Sequence, residues 1–206
     1  MPNPARFFAV AALAVAMALL ANTPALAASF EEGNQYIVVA EEPSAEPKVM
    51  EFFSYGCGGC FTFDSWFQRM KAEVGENVEV QYIPADFGGG FWTPAQELFL
   101  VMEALGKREQ LHDAVFQFIH GERNPITEAS ARRFMANHGV SEEEYNKVRN
   151  SFAVHVKEKR YDQLLKRYRI GSTPTVIVNG KYQVDHTKLS GPAEFVELVK
   201  YLLTNP

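Results

Sequence analysis

Apolar residues follow three different spacings along this chain, and each predicts a different kind of element. The first is an uninterrupted, uncharged run from Phe7 to Ala21, preceded by Arg6 and followed by Asn22-Thr23-Pro24 and the small-residue triplet Ala25-Leu26-Ala27. A cationic start, a run of this length and an A-x-A site are the three parts of a secretory signal. Residues 1–27 are therefore read as a signal peptide cleaved after Ala27. A membrane anchor would need about 20 apolar residues, and this run stops short of that at a proline-containing break.

The second spacing is the short dense or alternating run. Lys48 to Ser54 (KVMEFFS) is too short for a core helix and long enough for a buried strand. Val78 to Ile83 alternates and ends at Pro84, which reads as another strand. Thr175 to Val178 and Lys181 to Val184 flank Asn179-Gly180, a strong short-range hairpin signal. Tyr36 to Val39 is the one strand candidate in an otherwise acidic stretch, residues 28–47.

The third spacing is helical. Phe63, Trp66, Phe67 and Met70 fall on one helix face directly after a Cys-Gly-Gly-Cys motif. Further helical stretches are expected near 94–105, 108–120 and 127–138. Thr93-Pro94-Ala95-Gln96 reads as the start of the first of these, with Thr93 as N-cap and Pro94 at the first helical position. Ser141 to Glu144 is a capping-box signature that opens another helix. A long helix is expected over 152–168. A closing amphipathic one carries Phe195, Val196, Leu198, Val199, Leu202 and Leu203 after Pro192. The order is thus a βαβ half, an all-helical middle and a ββα half.

Composition narrows the function. Nearly half the residues are apolar and aromatics are plentiful, enough for a packed core without staples. The formal net charge of −5 argues against nucleic acid, which demands concentrated Lys and Arg. The cysteine count is the sharper clue: Cys57 and Cys60 are the only two. A disulfide between them would close a minimal loop and constrain the unfolded chain little, so the pair is chemical rather than structural.

At the head of a helix, Cys57 would meet unpaired backbone N–H groups and the positive end of the helix dipole, which lower a thiol pKa. Cys60, one turn on and facing the core, would be the resolving sulfur. The competing reading is a metal site, because C-x-x-C is also half of a zinc knuckle. The five histidines (His112, His120, His138, His155 and His186) show no H-x-x-x-H spacing, and each reads as an ordinary surface or core residue. A two-thiolate copper or zinc carrier stays open at this point.

Thr173-Pro174 bears on that choice. A proline between a helix end and a buried strand is poorly placed for ordinary sheet pairing. In this order of elements it reads as the cis proline that faces the disulfide in thioredoxin-like folds, leaving the Thr173 backbone to pair with an extended substrate peptide. A trans proline that merely starts a strand is the alternative.

Taken together, Phe52-Phe53-Ser54 before Cys57-Gly58-Gly59-Cys60, the helical middle, Thr173-Pro174 and Asn179-Gly180-Lys181-Tyr182 resemble the DsbA family of bacterial periplasmic dithiol oxidases. The resemblance spans nearly the whole chain beyond residue 27. It implies an α/β, thioredoxin-like fold formed by 28–90 and 155–206, with an inserted all-helical domain at 91–154. It further implies a protein dithiol:disulfide oxidoreductase without cofactor or metal, monomeric and periplasmic. Such an enzyme would donate the Cys57–Cys60 disulfide to reduced or unfolded exported proteins and be reoxidised by a DsbB-like, quinone-linked membrane oxidase. Cys57, Cys60, Pro174 and Glu51 are the implied catalytic residues. Thr173, Gly58 and Gly59 would line the substrate site.

Two departures from the family stand out. Its best-known pattern has Pro-His between the cysteines, where this chain has Gly58-Gly59, and each glycine costs roughly 0.5–1 kcal/mol of helix stability. The family also buries an acid beneath the cysteines, here expected at Glu51, where a raised pKa would let it relay protons. The basic partner of that acid is expected to fall at Gln81, leaving the pair incomplete. A strand-end Glu51 reaching solvent is the plain alternative.

Other same-fold functions are less well matched. Isomerases of the fold add a dimerisation domain, and residues 28–47 are too short for one. The charged residues from Lys157 to Arg169 read as a solvated helix face. Phe87, Phe91 and Trp92, set around Gly88, Gly89 and Gly90, would either line a substrate groove or pack over the core.

Overall fold

The computed structural model describes residues 30–205. The signal peptide read at residues 1–27 lies outside the described residues. Five strands form one mixed sheet: β1 (Tyr36–Val38), β2 (Lys48–Phe53), β3 (Glu79–Pro84), β4 (Thr175–Val178) and β5 (Tyr182–Val184). Their spatial order is β1-β5-β4-β2-β3. Strand β2 is central, antiparallel to β4 and parallel to β3. All of it after Lys48 is buried, as a strand covered on both faces requires.

Helix α1 (Gly58–Glu73) links β2 to β3 and packs against the closing helix α7 (Pro192–Thr204). The contact is aromatic: Phe195 meets Phe63 edge-on at 5.1 Å and Trp66 at 6.4 Å. The hairpin turn is of the left-handed type that Asn-Gly favours, with φ 51° at Asn179 and 64° at Gly180. Asn179 also stitches elements together. It is buried, its side chain accepts from the Lys48 N–H and donates to the Leu202 carbonyl (3.1 Å).

Between β3 and β4 the chain is helical throughout: α2 (Trp92–Ala104), α3 (Arg108–Phe116) running into a π turn (Gln117–Gly121), α4 (Glu128–Asn137), α5 (Glu142–Arg149) and α6 (Phe152–Arg167). Helix α2 is the hub. It touches β3 and all four of the others, and its buried residues run almost continuously from Pro94 to Met102.

Helix starts differ from expectation in two places. Helix α2 begins at Trp92 rather than after Thr93, because the Thr93 hydroxyl donates to Asp86 (2.8 Å) instead of capping the helix. Pro94 still falls within the first turn, where a missing N–H costs nothing. Ser141 accepts from the Glu144 N–H as expected (3.1 Å). The complete reciprocal box, however, forms between Thr127 and Ser130, a pair without the Glu or Gln that marks the usual signature.

Candidate active site

Cys57 is the N-cap of α1, in extended conformation, and its Sγ accepts the Cys60 N–H at 3.3 Å. Its thiol points at the Thr173 carbonyl, 3.5 Å away. The sequence places these two residues far apart; the antiparallel pairing of β2 with β4 brings them together. Cys57 is half-buried, whereas Cys60 is fully enclosed, and both are free thiols.

These surroundings drive the two sulfurs in opposite directions. Hydrogen bonding from the Cys60 thiol, opposed by partial burial and helped by Thr173 and the N–H groups of Cys60 and Gly59, takes Cys57 down to about 5. Burial, and then the neighbouring Cys57, push Cys60 far up. Thr173 Oγ1 is buried without a partner at full hydrogen-bond geometry, yet the hydroxyl favours the thiolate form of either sulfur.

The Thr173-Pro174 peptide bond is cis. Pro174 stands over Gly59: a Cβ built there would lie 3.4 Å from Pro174 Cδ and 3.7 Å from Cys57 Sγ. A Cβ on Gly58 would meet nothing within 4 Å. Pro174 also lines a shallow groove of about 330 Å³ with Ser172, Thr175, Gln183 and His186. Two larger cavities, about 570 Å³ each, are lined by neither cysteine.

Glu51 is 1 % exposed, so it is not a strand end reaching solvent. Its Oε2 has no hydrogen-bond partner, and burial first, then Asp64 and Cys57, raise its pKa well above the usual carboxylate range. The residue across from it is Tyr82, not Gln81. Gln81 pairs in register with Met50, on the opposite face of the sheet by strand alternation, and its amide donates to Glu79. The β3 residue in register with Glu51 is therefore a tyrosine whose hydroxyl is itself buried and unpartnered.

The aromatic loop packs against the motif. A Cβ on Gly56 would fall 2.2 Å from the Phe91 ring, so only glycine lets that ring lie on the turn before Cys57. Trp92 joins Phe91 to the partly exposed Phe87, with ring centroids at 4.4 and 4.7 Å.

Two histidines around the motif, His112 and His120, make polar contacts that their reading as ordinary surface or core residues did not anticipate. His112, 2 % exposed, bonds the Tyr55 hydroxyl through Nδ1 (2.9 Å) and Asp64 through Nε2 (3.0 Å). His120 Nε2 lies 2.8 Å from the Tyr55 carbonyl oxygen. No local pattern marks them, because their partners are 48 to 65 residues away. Among the described residues, the one grouping with metal-ligand spacing is Asp64, His112 and Asp113, and it includes neither cysteine.

A dithiol at the start of a helix, faced by a cis proline just ahead of the neighbouring strand, defines a thiol–disulfide oxidoreductase of thioredoxin-like fold with a helical insertion. The family model described as a DSBA-like thioredoxin domain matches residues 48–202. The thiol:disulfide interchange protein DsbA of Pseudomonas aeruginosa is 32% identical over 194 residues, covering 92% of both chains. Its namesake from Pseudomonas syringae pv. tomato is 32% identical over 199 residues, covering 94% of this chain and 92% of its own. Among solved structures, Pseudomonas aeruginosa DsbA superposes with a TM-score of 0.76 at 30% identity, covering 85% of this chain and 94% of that one. The DsbA of Xylella fastidiosa gives 0.75 at 26% identity, covering 85% and 97%. The chain belongs to the DsbA family.

Proposed function

We propose that this protein is exported to the periplasm, where it donates the Cys57–Cys60 disulfide to reduced proteins. The observation that carries this reading is the asymmetry of the two sulfurs: Cys57 caps the helix half-exposed and accepts the Cys60 N–H at 3.3 Å, which lowers its pKa, while Cys60 is fully buried, which raises its own. A substrate thiolate attacks Cys57 Sγ, the accessible sulfur, and the Cys57–Cys60 bond breaks. Cys60 leaves and takes up a proton, which its burial demands. Glu51, held neutral in the same enclosure, is the group placed to supply it. A second substrate thiolate then attacks the substrate sulfur of the mixed disulfide and expels Cys57 as a stable thiolate. Two electrons pass from the substrate to the enzyme, and the substrate gains one disulfide.

In this reading Thr173 and Pro174 present the substrate peptide to Cys57, across the open face of Gly58 and Gly59. Residues 28–90 and 155–206 form the redox domain, and 91–154 form the insertion that covers it. A DsbB-like membrane oxidase takes the two electrons onward to quinone, and the protein works as a monomer after losing residues 1–27. The test mixes the oxidised protein with a reduced, unfolded substrate containing one native disulfide. One disulfide formed per enzyme dithiol is expected; no transfer would sink the proposal.

A further inference from the structure

The residues between the cysteines cannot hold the motif in shape, since Gly58 and Gly59 carry no side chains and Gly58 has open space around it. The restraint has to come from the flanks, and both flanks are gripped by one segment of the helical insertion. On the near side, the peptide unit joining Tyr55 to Gly56 is held at both ends. Its carbonyl faces His120 Nε2 (2.8 Å) and its N–H donates to Ser54 Oγ (3.3 Å). On the far side, the His120 ring stacks on Phe61, the residue after Cys60, with centroids 5.0 Å apart and planes 17° apart. Phe61 N–H donates to the Cys57 carbonyl (3.1 Å), so that stack fixes the rotation of the first helical turn.

His112 repeats the arrangement one layer deeper. It joins the Tyr55 hydroxyl, before the motif, to Asp64, one turn after Cys60. A carbonyl can only accept, so His120 presents its Nε2–H to Tyr55. The two histidines are eight residues apart, which in an uninterrupted α-helix would leave them about 80° apart around the axis. The π turn at Gln117–Gly121, closed by the Glu122 N–H on the Gln117 carbonyl, takes up that difference and brings both onto Tyr55.

We propose that His112 and His120 form a clamp that closes the helical insertion onto both flanks of the dithiol. In this clamp His120 is the positioning residue through which the insertion aims the backbone N–H groups of α1 at Cys57. The proposal rests on the reading of Cys57 as the reactive sulfur and adds the element that tunes it. Loss of the His120 donor lets the turn and the first helical residues move, so the Cys57 thiolate loses alignment with its donors. The reduced form is then less favoured, and the disulfide becomes the weaker oxidant.

The experiment compares the wild-type protein with H120A, H120F, which keeps the stack without the donor, and H120Q, which restores an N–H donor. Thiolate absorbance is titrated against pH, and each dithiol is equilibrated with glutathione buffers. In H120A and H120F the Cys57 titration is expected to move to higher pH, and the equilibrium to shift about two- to tenfold toward the disulfide, as for the loss of one hydrogen bond. H120Q is expected to return most of the way. A folded H120A or H120F with both readouts unchanged would overturn the clamp, even if its melting temperature fell. A wild-type Cys57 titrating like an ordinary thiol would instead overturn the reactive-sulfur reading beneath it.

Discussion

Glu51 on β2 and Tyr82 on β3 share one register position of a parallel strand pair, and both end in a buried oxygen with no hydrogen-bond partner. With no cation opposite it, the carboxyl is most stable protonated, and its pKa is raised in the folded state. The folded protein then holds a proton that the unfolded chain releases above the ordinary carboxylate value of 4.5. Stability attributable to this group therefore falls as pH rises above that value, by at most about 1.4 kcal/mol per pH unit for one proton. Glu51→Gln is expected to be more stable than wild type at neutral pH, with an advantage that grows from pH 4 to pH 7 in urea melts. An advantage independent of pH would mean that Glu51 is ionised in the fold. The same variant is expected to slow disulfide transfer, since it has no proton to give to Cys60.

Cys57 carries the opposite sign. Its folded pKa of about 5 lies below the thiol value of 9.0. The stability it contributes to the reduced protein is complete above pH 9 and is lost as pH falls toward 5. Reduced wild type compared with Cys57→Ser is therefore expected to gain stability between pH 5 and pH 9. In the same reduced protein, alkylation at pH 6 is expected to label Cys57 far faster than the enclosed Cys60. Equal labelling by mass spectrometry would remove the assignment of roles.

Cys60→Ser leaves Cys57 accessible and takes away the sulfur that resolves a mixed disulfide. Expressed in a bacterial periplasm, this variant is expected to accumulate adducts with exported proteins that disappear with dithiothreitol. A second substitution, Cys57→Ser, is expected to abolish them. Adducts that persist in the double variant would show that capture does not run through this site.

Gly58 and Gly59 are expected to leave the disulfide less oxidising than in a relative with Pro-His between its cysteines. Cys60, Thr173 and the backbone donors already bring Cys57 to about 5 without any intervening side chain, so the deficit is modest. Room exists for the exchange: Gly58 is unobstructed, and a side chain at Gly59 starts in ordinary contact with Pro174. Gly58 is also the first residue of α1, a position where proline is favoured. The double variant Gly58→Pro, Gly59→His is expected to show a higher potential and a lower Cys57 pKa. About 30 mV corresponds to 1.4 kcal/mol for this couple, well within reach of a glutathione equilibrium. An unchanged potential would move the tuning to Thr173 or Glu51.

Gly56→Ala tests the contact with Phe91. A methyl group there cannot coexist with the ring in its present position, and overpacking of this kind costs about 1–3 kcal/mol. Denaturation midpoints report the cost. Gly56→Ala combined with Phe91→Ala is expected to recover part of it.

Features that depend on neighbours along the chain were legible from residue types alone. The helix after Cys57 is visible in the spacing of Phe63, Trp66, Phe67 and Met70, and the hairpin in Asn179-Gly180. In the same way the paired cysteines and Thr173-Pro174 announce a dithiol site, because backbone geometry and short-range hydrogen bonds are set by local residue identity. The structure alone decided which side chains meet across elements. Register put Tyr82 rather than Gln81 opposite Glu51, since a shift of one residue along a strand exchanges its faces. The π turn, which no residue pattern announces, carried His120 to the Tyr55 carbonyl 65 residues away. Burial of Glu51 followed the same logic: an acid in a short apolar strand reads equally well at an exposed end or in the core until the covering helices are in place.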